Sequence, residues 1–154
     1  MRSGLTPTGP AAIASLRREI DRLPTDSEWM VERATFELLI RYTRKDWAGV
    51  VAAYHDLESR TVPVGTAYYA AEALERLGRP DEAARVSRLL ATHRTRGASP
   101  YRRGQAWLRL GILRQQAGDA DGARRAFESL LRLWDRAPRD TPEIREAERA
   151  GSLG

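Results

Sequence analysis

The most constraining feature of this 154-residue chain is a pattern that recurs three times. One segment runs from Ala34 to Leu38, then Arg44-Lys45-Asp46-Trp47, then Val50 and Tyr54. A second runs Ala67-Tyr68-Tyr69-Ala70-Ala71, then Leu77-Gly78-Arg79-Pro80, then Ala83 and Ser87. A third runs Ala106-Trp107-Leu108-Arg109-Leu110-Gly111, then Ala117-Gly118-Asp119, then Ala123 and Phe127. Val50 and Ala83 are 33 residues apart, and Ala83 and Ala123 are 40. The second interval reads as a unit of about 34 residues with about six inserted around Arg96-Gly97-Ala98-Ser99-Pro100. Such a unit cannot bury an apolar face alone, so neighbouring units must stack. Each unit reads as a helical hairpin. Small residues, Ala71 with Ala83 and Gly111 with Ala123, let paired helices approach closely. Gly78 and Gly118 end the first helix of their hairpins, Asp119 caps the next, and Pro80 suits a first helical turn.

The third segment resembles the tetratricopeptide repeat (TPR), whose pattern is Trp-x2-Leu-Gly-x2-Tyr, then Ala-x3-Phe, then Pro. Trp107-x2-Leu110-Gly111 and Ala123-x3-Phe127 match it. Arg114 stands where the Tyr belongs, and Pro138 comes a few residues late. The second segment keeps Ala71 and Ala83 but has Ala67 for the Trp and Ser87 for the Phe, and the first has Leu38 and Val50 at the small sites. The resemblance implies an all-α fold: a right-handed superhelical array of antiparallel helical hairpins, a TPR-like solenoid, with flanking terminal helices. The expected organisation is a single domain over 1–154. It has an N-terminal helix at 10–23, repeats at 28–62, 64–97 and 100–137, and a C-terminal capping helix at 141–150. Within the repeats, helices are expected at 28–44, 46–59, 64–77, 80–95, 100–117 and 119–137.

The terminal helices suit the capping that a stacked array needs. Ile13, Leu16, Ile20 and Leu23 share one face of the first, which is bounded by Gly9-Pro10 and Pro24. That face is also a candidate ligand for a groove, in cis or in a neighbouring copy, so self-association through this helix is one expectation. The last helix opens on Thr141-Pro142-Glu143. The stretch from Leu130 to Ile144 is similar to the ends of TPR regions in large bacterial signalling proteins, a resemblance that carries no signalling activity over to this chain.

Composition narrows the chemistry. The chain has no cysteine, which excludes disulfides, thiolate zinc sites and cysteine nucleophiles. It contains no phosphate-binding Gly-rich loop with Lys-Ser or Lys-Thr, no His-Glu-x-x-His and no Gly-x-Ser-x-Gly. No enzyme activity, cofactor or metal is therefore expected. No apolar run is long enough for a membrane span, and a cytoplasmic location is expected. The net charge is +5, but 25 of the 26 basic residues are Arg and they alternate with 21 acidic ones, which weakens a nucleic-acid reading.

In TPR folds the first helix of each hairpin lines the concave face. Carried onto this sequence, that implies a protein-binding surface of Phe36, Leu39 and Tyr42 from the first repeat. Tyr68, Tyr69 and Glu72 come from the second, and Leu108, Arg109 and Ile112 from the third. Aromatic and Arg side chains are the usual anchors of a protein interface. The expected function is a scaffold or adaptor that binds an apolar or helical segment of another protein. A Lys and Asn clamp for a terminal carboxylate is not expected, because the chain has no Asn and its only Lys is Lys45. The alternatives are a nucleic-acid-binding repeat that uses Arg94, Arg96, Arg102 and Arg103 with Tyr101 among them, and a structural subunit of a larger complex.

Overall fold

The computed structural model describes residues 9–25, 29–93 and 99–151. Those residues form eight α-helices and no strand. They are α1 (Pro10–Arg22), α2 (Met30–Thr43), α3 (Trp47–Glu58), α4 (Val64–Arg76), α5 (Pro80–Thr92), α6 (Pro100–Gln116), α7 (Ala120–Leu133) and α8 (Pro142–Gly151). Each coincides with an expected helix to within a few residues. The largest difference is at α7, which stops at Leu133 because Trp134 leaves helical geometry at φ −114°, ψ 35°. The chain divides into two compact units, Met1–Leu77 and Gly78–Gly154.

The same turn is made three times. Lys45, Gly78 and Gly118 take the left-handed conformation, with φ of 58°, 69° and 80°. Their spacings, 33 and 40 residues, are the two intervals of the sequence repeat. A left-handed residue just past a helix C-terminus reverses the chain and frees the next helix to run back. The cap after the turn also recurs, in the first and third cases. Asp46 Oδ1 accepts from the Gly49 N–H at 2.9 Å, and Asp119 Oδ1 accepts from the Gly122 N–H at 2.8 Å. These aspartates are N-caps that satisfy otherwise unpaired amides of α3 and α7. Arg41 and Arg114, five residues before each aspartate, lie 3.1 and 3.9 Å from its carboxylate.

In the first unit each helix packs on the next, and α2 also touches α4 directly. Leu38, Ile40, Val50, Tyr54, Leu57 and Leu74 are fully buried there. α1 lies on α2, as a capping helix does. The Arg33 guanidinium donates from Nη1 to the carbonyls of Ile20 at 2.8 Å and Leu23 at 3.1 Å, which satisfies the C-terminal end of α1. Arg17 adds an ion pair to Glu37 at 2.7 Å.

The second unit repeats the scheme: α5 packs on α6, α6 on α7, α7 on α8, and α6 touches α8. This order, each helix on the next and alternate helices side by side, is that of stacked helical hairpins. Gly111 and Gly104 in α6 each lie beneath a ring, Phe127 and Trp134 respectively, where a Cβ would collide. Leu108, Ala123, Phe127, Leu130 and Ala147 close the core between α6, α7 and α8.

Candidate functional site

The packing of α2 beside α4 determines which side chains of the first unit meet. Tyr42, near the end of α2, reaches across to α4. Its hydroxyl donates to Glu72 Oε2 at 2.6 Å, and its ring meets that of Tyr69 edge to face at 4.8 Å. Tyr69 meets Tyr68 at 5.6 Å, and Tyr42 meets Trp47, the first residue of α3, at 5.7 Å. The result is a continuous chain of half-buried rings, Trp47–Tyr42–Tyr69–Tyr68, in perpendicular contacts that suit aromatic quadrupoles. Exposed Arg76 lies over the Trp47 ring at 5.9 Å and 3.6 Å from the Glu72 carboxylate. The guanidinium thus pairs with both a ring face and a carboxylate.

Burial and the neighbouring Glu72 carboxylate hold the Tyr42 phenol well above the usual tyrosine range. Tyr42 keeps its proton at neutral pH, so the group serves as a fixed hydrogen-bond donor and not as a proton shuttle. Both Glu72 oxygens have partners within this cluster. The arrangement offers ring surface and one exposed cation, which is the chemistry of a contact surface.

Of the residues singled out from the sequence, Tyr42, Tyr68, Tyr69 and Glu72 are brought together. Phe36 and Leu39 precede Tyr42 on α2 at three-residue spacing and are half-buried. Trp47 is an addition that the sequence did not signal, because it opens the second helix of its hairpin. Its neighbour relation to Tyr42 arises only when the hairpin closes.

The second unit places its candidates differently. Leu108 is 8% exposed and sits inside the α6–α7–α8 core, and Ile112 packs at the edge of the same core. Arg109 is half-buried. For the expectation of a concave contact at Leu108, the physical obstacle is α8, which covers that side of α6.

Of the four basic candidates, the described ones are Arg102 and Arg103, adjacent near the start of α6. Arg94 and Arg96 lie outside the described residues. The Arg103 Nε donates to the Ala91 carbonyl at 3.2 Å and ties α6 to the end of α5. Arg102 is half-buried at the start of α6. Tyr101 stacks on Trp134, with ring centroids 5.8 Å apart and planes 8° from parallel, so one of its faces is already covered. Charge is nonetheless uneven along the chain. The second unit holds 16 Arg against 10 acidic residues, whereas the first holds 10 Lys and Arg against 11.

Among the described residues there is no group of three or more His, Asp or Glu that would hold a metal ion. No helix among them is long and apolar enough to cross a membrane.

The fold defines a class: an all-helical protein of consecutive antiparallel hairpins. The family comparison gives that class a narrower likeness. Residues 105–135, which span most of α6 and all of α7, match the tetratricopeptide repeat family model. This is the segment whose Trp107, Leu110, Gly111, Ala123 and Phe127 carry the resemblance in sequence. No curated protein matches the chain.

Proposed function

We propose that this protein is a non-enzymatic interaction module that holds a segment of another protein on the aromatic face of α2 and α4. The observation that carries the reading is the run of half-exposed rings Tyr42, Tyr69 and Tyr68 across two adjacent helices. Such a face suits an apolar or helical ligand segment, with Arg76 at its rim for a carboxylate. The tetratricopeptide similarity in the second unit supports a scaffold or adaptor role. A cytoplasmic location and independence of any cofactor belong to the same reading.

The test is affinity capture from host lysate with the wild-type chain and with Tyr68→Ala and Tyr69→Ala, each checked for retained helicity. Loss of a discrete, salt-resistant protein partner in the variants is the expected outcome. A captured set that is identical for all three chains would rule the face out.

The charge excess of the second unit favours a second reading, nucleic-acid binding around Arg102. Phosphate contacts release counterions, so that binding must fall steeply with salt. An RNA or DNA that is retained at low salt and lost at high salt, with no protein partner, would select it.

A further inference from the structure

The chain has two sulfur atoms, those of Met1 and Met30, and no cysteine. Met30 opens α2 and is 40% exposed, so its thioether is open to oxidants in solution. Its neighbour is Arg60, in the turn after α3. Asp56 fixes that guanidinium through two hydrogen bonds: Nε donates to Oδ2 at 3.2 Å, and Nη2 donates to Oδ1 at 3.1 Å. The remaining nitrogen, Nη1, is aimed at the Met30 sulfur and lies 2.6 Å from it.

A thioether is a weak acceptor, whereas a guanidinium can make the stronger, charge-assisted hydrogen bonds. The donor in this pair is therefore under-used. One oxygen on the sulfur corrects the mismatch, because a sulfoxide oxygen carries substantial negative charge. Oxidation of methionine harms a fold when it makes a buried side chain polar. Met30 is spared that cost, because its side chain already meets water. Arg60 is exposed as well, so the two side chains can part far enough to seat an oxygen between them.

We propose that Met30 is a site of reversible oxidation by a hydroperoxide, and that Arg60 holds the resulting sulfoxide and ties the start of α2 to the end of α3. In the step, a sulfur lone pair attacks one oxygen of hydrogen peroxide. The S–O bond forms as the O–O bond breaks, and the departing hydroxide takes the proton of the transferred oxygen and leaves as water. Sulfur is oxidised by two electrons and the peroxide is reduced by two. The site lies at the opposite end of α2 from Tyr42 and does not depend on the aromatic face.

The test treats the full chain with hydrogen peroxide at a dose that oxidises free methionine. Peptide mass spectrometry locates the added oxygen, and urea unfolding compares the oxidised and untreated chains. Met30→Leu reports what Met1 contributes, and Arg60→Ala removes the donor. The expected result is an oxygen on Met30 that methionine sulfoxide reductase removes. The unfolding constant of the wild-type chain is expected to fall about fivefold on oxidation, with no such fall in either variant. Met30→Gln, whose amide oxygen is a permanent acceptor for Arg60, is expected to reproduce the gain without peroxide. A Met30 that stays unmodified overturns the proposal. So does oxidation that leaves the wild type and Arg60→Ala equally stable or equally weakened. A fall that persists in Met30→Leu also overturns it, and assigns the effect to Met1.

Discussion

The indole of Trp134 occupies the space that a side chain at residue 104 would need. Gly104 sits inside α6, where glycine lowers helix stability by about 1 kcal/mol relative to alanine. Trp134 uses the gap. Its Nε1 donates to the Pro100 carbonyl at 3.2 Å, and Tyr101 stacks on its outer face. Gly104→Ala is therefore expected to destabilise the chain by about 1–3 kcal/mol, the usual cost of overpacking, despite its better helix propensity. Gly65 is the control, because a Cβ there meets nothing. Gly65→Ala is expected to raise stability by up to about 1 kcal/mol. Thermal unfolding followed by circular dichroism separates the two signs.

The three equivalent turns predict opposite responses to opposite substitutions. Lys45 is the one non-glycine residue among them, and the left-handed conformation costs an L-residue roughly 1–2 kcal/mol. Lys45→Gly is expected to stabilise modestly, because relief of that strain is partly offset by the flexibility glycine adds to the unfolded chain. Gly118→Ala introduces the strain and is expected to destabilise by about 1 kcal/mol or more. Urea unfolding curves that shift in the same direction for both variants would contradict the shared turn geometry.

The Tyr42–Glu72 hydrogen bond predicts a pH response. The folded phenol is held above its ordinary value of 10.0 by burial and by Glu72. Below that value the tyrosine is neutral in both folded and unfolded states, and its contribution to stability is fully present. As pH rises past it, the unfolded chain ionises first, so stability falls with rising pH. Tyr42→Phe removes this part of the alkaline loss. It also removes a hydrogen bond to a carboxylate, at a cost of about 1–2 kcal/mol at neutral pH. Melting temperatures of both chains from neutral to strongly alkaline pH test the convergence.

Arg33 closes the end of α1 through two carbonyls. Arg33→Ala leaves those groups to water and loosens the helix from α2. The expected cost is about 1–2 kcal/mol, with amide exchange in α1 rising more than exchange in α3. Uniform exchange across both helices would mean that α1 is not an individually anchored cap.

Much of the architecture is legible without coordinates. The two repeat intervals, the glycines at 78 and 118, and Asp119 mark local events that need only a few neighbouring residues to specify them. Lys45 shows the limit of that signal. Its left-handed turn is the equivalent of the two glycine turns, and only its place in the repeat, not its residue type, signals it. The matching Asp46-x-x-Gly49 and Asp119-x-x-Gly122 caps are present in the sequence and become evident as a pair once each carboxylate is seen on its glycine amide.

The sequence by itself determined the helices, their order and the spacing of the turns, because caps, left-handed residues and apolar periodicity act within a turn or two of chain. Only the tertiary structure decided which side chains of the first helices stay at the surface. Tyr42, Tyr68 and Tyr69 remain half-exposed, with Tyr42 against Trp47, while Leu108 disappears beneath α8. The physical reason is that one helical stripe serves equally well as a contact face or as a core. The choice depends on whether another helix lies across it.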